Sequence, residues 1–268
     1  MRFFKLYMAI LFIYLSTSSF AQHSELSIDT LFSSLDFFEV VQQIESNADA
    51  LYVFDIDNTL LITNDNKFGS DWWYAQTEDH PDLKLQVNSS CLFDILTPLF
   101  YAMFNTTELF EFQAQLVEVL GLNNGEIIAL TARAYSPSVA ASTELQLTKN
   151  NYTFLDADSM QLGEDIMLLN SVIYTRGSDK GKVLYNFIEG KNYKSIYFFD
   201  DTMKNVVNVK NAFTGKGIDI SLYYMDIAPK IPYTKGEMDY MEEKLCNLIN
   251  TINTLGETSC SCNNKSTK

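Results

Sequence analysis

Four apolar runs constrain this chain more than any other feature: "ALYVF" (50–54), "EIIALTA" (126–132), "SIYFFD" (195–200) and "ISLYYMDI" (220–227). A strand with one face in water alternates apolar and polar residues; a run apolar throughout needs cover on both faces. The runs are rich in β-branched and aromatic residues, which favour pleated strand over helix. "SVIYT" (171–175) is a shorter run of the same kind. Helical periodicity fills the gaps at 137–150, 180–190, 202–213 and 236–254. Residues 26–49 also set Leu31, Leu35, Phe38, Val41 and Ile44 at helical spacing, with a start near Asp29. Alternating strand and helix predict an α/β fold, a Rossmann-like doubly wound parallel sheet with helices on both faces.

One interval breaks the rhythm. Between Thr63 and Asn124 there is no convincing strand, and helical patterns occupy 92–104 and 107–120. A simple crossover needs far less chain. The interval, 63–124, reads as a helical cap inserted over the sheet edge, entered through "GSDWWYAQ" (69–76). Trp72, Trp73 and Tyr74 there either form the core of the cap or line an entrance and stack on a substrate ring. The core domain is then 22–62 with 125–255, followed by a C-terminal tail, 256–268.

The first residues read as an export signal. Arg2 and Lys5 precede an apolar run from Leu6 to Leu15, and "SFAQ" offers a cleavage site after Ala21, giving a signal peptide over 1–21. The run falls short of the roughly 20 apolar residues that span a bilayer, so no stable membrane anchor is expected. Cleavage removes these two basic residues and no acid, moving the net charge from −15 to −17. Such a surface repels phosphate backbones and anionic headgroups, which argues against nucleic-acid or membrane partners. Cys91, Cys246, Cys260 and Cys262 suit a periplasmic or secreted location, where a bridge from Cys246 to Cys260 or Cys262 ties down the tail. "CSC" lacks the spacing of a zinc site and has no histidine near it. The two histidines, His23 and His80, give histidine-based hydrolysis little material, and neither G-x-S-x-G nor a P-loop occurs. Asn88, Asn105, Asn151 and Asn264 head N-x-S/T sequons.

In open α/β sheets ligands bind beyond the carboxyl ends of the strands. Here those ends carry reactive groups: Asp55 and Asp57 after the first run, Thr131 in "ALTAR" after the second, and Asp200-Asp201 with Asn205 after the third. Lys180 opens the helix ahead of the third run, with Lys182 as its near rival. Two residues apart at a strand end, Asp55 and Asp57 leave on the same side. Crowded carboxylates raise one another's pKa unless a cation intervenes, and an all-oxygen set suits Mg²⁺. Mg²⁺ and Lys180 would neutralise a phosphoryl group, Thr131 would hydrogen-bond it, one carboxylate would attack phosphorus and the other would move protons. The pattern alone leaves open which aspartate does which. Arg133 either reaches the substrate or pairs with the acidic surface.

In order, "DIDNT", "ALTAR", "DKG" and "FFDDTMKN" resemble the four motifs of the haloacid dehalogenase-like (HAD) phosphohydrolase superfamily, over 51–205. The chain is similar to an uncharacterised exported bacterial branch of it (DUF2608-like) and, more distantly, to secreted class C acid phosphatases. The resemblance implies Asp55 as nucleophile and Asp57 as general acid/base, with Thr131 and Lys180 binding the phosphoryl group. It implies Mg²⁺ on Asp55, on the backbone carbonyl of Asp57 and on Asp201, supported by Asp200 and Asn205. The expected function is an exported Mg²⁺-dependent phosphomonoester hydrolase acting on small phosphate esters through an aspartyl-phosphate. Its rivals are a phosphotransferase of the same fold and a non-catalytic interaction module on a HAD scaffold.

Overall fold

In a computed structural model, the chain is described over residues 26–44, 49–63, 97–103, 105–122, 125–153, 159–229 and 234–254. In chain order the elements are β1 (Asp29–Leu31), α1 (Ser34–Gln43), β2 (Ala50–Phe54), β3 (Leu61–Thr63), α2 (Thr97–Met103), β4 (Thr106–Glu108), α3 (Gln113–Gly121) and β5 (Glu126–Thr131). They continue with α4 (Pro137–Lys149), β6 (Met160–Gly163), β7 (Ile166–Leu169), β8 (Val172–Tyr174), α5 (Lys180–Ile188), β9 (Ser195–Asp200), α6 (Met203–Phe213), β10 (Asp219–Met225) and α7 (Lys235–Thr254). Eight strands form one sheet in the order β1-β10-β9-β2-β5-β8-β7-β6, parallel from β1 through to β8. The architecture is α/β with a mostly parallel central sheet, consistent with a Rossmann-like fold.

The four long apolar runs lie side by side in the middle of this sheet. β2 sends Tyr52 and Phe54 to one face and Leu51 and Val53 to the other, all inaccessible to solvent. On the first face Phe54, Phe199 and Tyr223 stack across three neighbouring strands at centroid separations of 4.6 and 4.7 Å. Burial of each such side chain contributes about 1.5–3 kcal/mol, which holds the strand ends in fixed register.

Two expectations are corrected. Residues 26–49 are not one helix: Asp29–Leu31 pairs in parallel with β10, and the helix starts at Ser34. The Ser33 hydroxyl accepts the Asp36 N–H and so caps the helix four residues after Asp29. Nor is 107–120 helical throughout. Thr106–Glu108 pairs antiparallel with β3, and α3 begins only after Phe112, whose φ of 68° breaks any earlier helix. The interval read as wholly helical therefore contains a strand. The hairpin β6–β7 was also not foreseen; β7 runs antiparallel to both its neighbours, β8 and β6. The tight turn from β7 to β8 rests on Asn170 and Ser171, both left-handed.

The predicted signal peptide, the tail, "GSDWWYAQ", His23, His80, Cys91, Cys260 and Cys262 lie outside the described residues. Cys246 is buried and disulfide-bonded, and its other half lies outside them too. Among the described residues no helix is long and apolar enough to cross a membrane.

From β2 the chain moves outward through β5 to β8, then returns to the other side of β2 for β9 and β10. The order reverses between β2 and β9, so a crevice opens beyond their carboxyl ends. Helices α5 and α6 pack closely beside it. A Cβ on Gly181 would lie 2.2 Å from the Asn208 carbonyl oxygen and 2.6 Å from its carbon, so glycine is what permits that approach. Gly181→Ala is expected to cost about 1–3 kcal/mol by forcing the helices apart. A urea denaturation curve shifted to lower midpoint with unchanged slope checks it; an unshifted midpoint contradicts the packing described.

Candidate functional site

Beyond β2 the chain turns sharply. Asp55 still donates its N–H to Phe199 O at 2.9 Å, keeping it in step with β9. The Ile56 carbonyl then accepts from Thr59, Leu60 and Leu61, and Asn58 sits at φ 61°, a left-handed position asparagine tolerates. The loop is tied to the next strand end by Thr59, whose buried hydroxyl accepts the Asp201 N–H at 3.0 Å. It is buttressed from behind. The Gln113 side-chain amide donates to Thr59 O at 2.8 Å, and the Tyr152 hydroxyl donates to Leu60 O at 2.9 Å.

Lys180 is the first residue of α5, where a cation opposes the helix dipole. Asp179 caps that end by accepting the Gly181 and Lys182 N–H groups. The buried Lys180 ammonium reaches across the crevice to Asp55 Oδ1 at 2.5 Å and Asp200 Oδ2 at 2.7 Å. Lys182 is exposed, which decides between the two lysines. Burial pushes the Lys180 ammonium down, but the charges of Asp200 and Asp55 and their hydrogen bonds outweigh it and hold it above its ordinary value.

The two carboxylates bound by Lys180 differ. Asp200 is fully buried, and its Oδ1 accepts from the Thr202 N–H at 2.8 Å and from the Asn205 side-chain amide at 3.1 Å. It is anchored. Asp55 has Oδ1 on Lys180, while no hydrogen bond among the described residues engages its Oδ2. Burial, opposed by Lys180 and helped by Asp200 and Asp57, pushes the Asp55 carboxyl up to about 7. One lysine shared between two acids does not fully compensate both.

Asp57 faces elsewhere. Arg133 grips it with Nε on Oδ2 at 2.9 Å and Nη2 on Oδ1 at 2.8 Å, a bidentate pair with both residues buried. Arg133 therefore does not pair with the acidic surface, as one reading of the sequence had it. Its other end donates to Thr143 Oγ1 at 2.8 Å and Gln146 Oε1 at 2.9 Å, and its carbon lies 4.1 Å over the Tyr101 ring. Thr131, fully buried at the end of β5, accepts the Arg133 N–H on its hydroxyl at 3.2 Å and so shapes the turn that aims the guanidinium.

Asp55, Asp200 and Asp201 each offer a carboxylate oxygen, all within 4.8 Å of one another, a set that can hold a metal ion. The Asp57 side chain is not in that set because it is turned onto Arg133; Asp200, expected only as support, is. The charges favour a cation. Asp55 and Asp200, both buried, share the single positive charge of Lys180. All the donors are hard oxygens. A separate cavity lined by Glu144, Tyr152, Asn170 and Tyr174 includes none of these carboxylates.

Sequence reasoning placed Asp55, Lys180, Asp200, Asp201 and Asn205 near one another, and the structure brings them together. It missed Thr59, Gln113 and Arg133 as organisers. Thr59 stands inside "DIDNT" and Arg133 closes "ALTAR", so both had a signal, but the Arg133 partner Asp57 is 76 residues away; Gln113 finds its partner 54 residues away and had no signal. The profile of a family described as "Protein of unknown function (DUF2608)" matches residues 34–255. No curated protein matches the chain.

Proposed function

The chain belongs to the DUF2608 family, and on the geometry of its site we propose that it is a Mg²⁺-dependent phosphomonoester hydrolase with a HAD-like core that works through an aspartyl-phosphate on Asp55. One observation carries this reading. Asp55 has one oxygen held by a buried lysine and the other unengaged among the described residues, as an in-line nucleophile requires.

The chemistry follows from the groups around it. Asp55 Oδ2 attacks phosphorus, the P–O ester bond breaks, and its electron pair leaves with the alcohol oxygen, which takes a proton from Asp57. Water then attacks the phosphorus of the aspartyl-phosphate and gives its proton to Asp57, freeing inorganic phosphate and the Asp55 carboxylate. Lys180 carries fixed positive charge against the transferring group throughout. Asp55, Asp200 and Asp201 would hold Mg²⁺, with Asn205 keeping Asp200 in place. When bound, the ion would offset the carboxylates and the phosphoryl oxygens. Thr131, at the end of β5, is the remaining phosphoryl-binding group of this reading. In this reading the segment 63–124, which contains β4 beside its helices, serves as a cap favouring small soluble phosphate esters, and residues 1–21 act as an export signal.

A panel of small phosphate esters tests the reading. Phosphate release with Mg²⁺ that stops on chelation is expected. A folded protein that releases none from any ester, with Mg²⁺ or another divalent ion, overturns it.

A further inference from the structure

We propose that Arg133 is a positioning residue of the reaction, acting on substrate only through Asp57; this rests on the phosphatase reading. The fork geometry fixes both Asp57 oxygens with two nearly equal bonds, 2.9 and 2.8 Å, which leaves the carboxylate a single orientation. Arg133 is itself immobilised. It is buried, bonded at its far end to Thr143 and Gln146 on α4, and packed on Tyr101 of α2. The Gln146 side-chain amide closes the circuit by donating to the Tyr101 carbonyl at 2.6 Å. A guanidinium that cannot move aims an acid that otherwise rotates freely about two bonds. The same network joins α2, in the inserted segment, to the proton-transfer group. No atom of Arg133 is assigned to the phosphoryl group, where Lys180 supplies the charge.

This division of labour has a kinetic signature. In the first half-reaction the leaving oxygen takes its proton from Asp57, which matters for an alkoxide and hardly at all for a nitrophenolate. In the second half-reaction Asp57 takes a proton from water whatever the ester was. An enzyme with a misaimed Asp57 therefore loses kcat/KM on alkyl esters, keeps it on nitrophenyl esters, and accumulates the phosphoenzyme with the latter.

The test compares wild type with Arg133→Lys, which keeps the charge and loses the fork, on ethyl phosphate and 4-nitrophenyl phosphate. Expected is an about 100-fold fall in kcat/KM on ethyl phosphate, the size of a general-acid contribution, and a change of no more than about threefold on the nitrophenyl ester. On the nitrophenyl ester kcat and KM should fall together, with a burst of nitrophenolate. Adding Asp57→Asn should lower kcat/KM on ethyl phosphate no further than either single change, because both act on one proton transfer. Equal losses on the two esters, or no loss on either, overturn the proposal while leaving the phosphatase reading intact. A wild type that hydrolyses neither ester overturns both. Should Arg133→Lys not fold, Gln146→Leu, which frees the far end of the guanidinium, must show the same split at smaller size; equal losses there overturn the proposal as well.

Discussion

Asp55→Asn is expected to lower turnover of any phosphate ester about 10⁴-fold or more and to leave the protein folded. The first half follows from the chemistry: a neutral amide oxygen cannot form the acyl phosphate, and loss of a nucleophile removes most of the rate enhancement of enzymes that use one. The second follows from the charges. Asp55 and Asp200 share Lys180, so asparagine at 55 removes an incompletely compensated buried charge and leaves Lys180 paired with Asp200. The fit of the loop is unchanged, because the Asp55 N–H bond to Phe199 does not involve the side chain. Thermal unfolding in chelator should therefore show a midpoint no lower than wild type. Retained turnover would move the nucleophile elsewhere.

Lys180→Met should do the opposite to stability. Among the described residues it removes the one cation that both Asp55 and Asp200 contact, in a site where Lys180 and Asp200 are inaccessible and Asp55 nearly so. Breaking a buried ion pair from one side costs about 3–5 kcal/mol, a large share of the roughly 5–15 kcal/mol that holds a domain folded. Urea denaturation of the metal-free protein measures it. Combining Lys180→Met with Asp55→Asn should recover part of the loss, since the second change deletes one of the stranded charges, and that departure from additivity is the sharper readout. An unaltered midpoint in Lys180→Met would mean that the lysine is not the counter-ion the crevice depends on.

How much of this was legible beforehand depends on what each element leans on. β2, β5, β9 and β10 declared themselves because both faces are buried and their apolar runs leave no helical alternative. β1, β4, β6 and β7 are three or four residues long, and their strand state comes from a neighbour supplied by distant sequence: Asp29–Leu31 exists as a strand only beside Tyr223–Met225. Local periodicity carries no trace of such a partner, which is why Asp29 looked like a helix start. In the site, Asp55, Asp57, Asp200 and Asp201 were conspicuous as paired acids at the ends of apolar runs. The fate of Asp57 was not. Its carboxylate looked committed to the acidic cluster, and only the turn after β5, shaped by Thr131, brings Arg133 onto it. Gly181 was visible as a letter in "DKG", but the Asn208 carbonyl that makes it necessary lies on another helix.

The central claim is that Asp55 becomes phosphorylated. Mass-spectrometric mapping of the protein quenched in acid during turnover of 4-nitrophenyl phosphate with Mg²⁺ tests it most directly. The account predicts one added phosphoryl group on the peptide carrying Asp55, absent with chelator and absent in Asp55→Asn. A phosphoryl group trapped on any other residue, or steady turnover with the Asp55 peptide never modified, would contradict it.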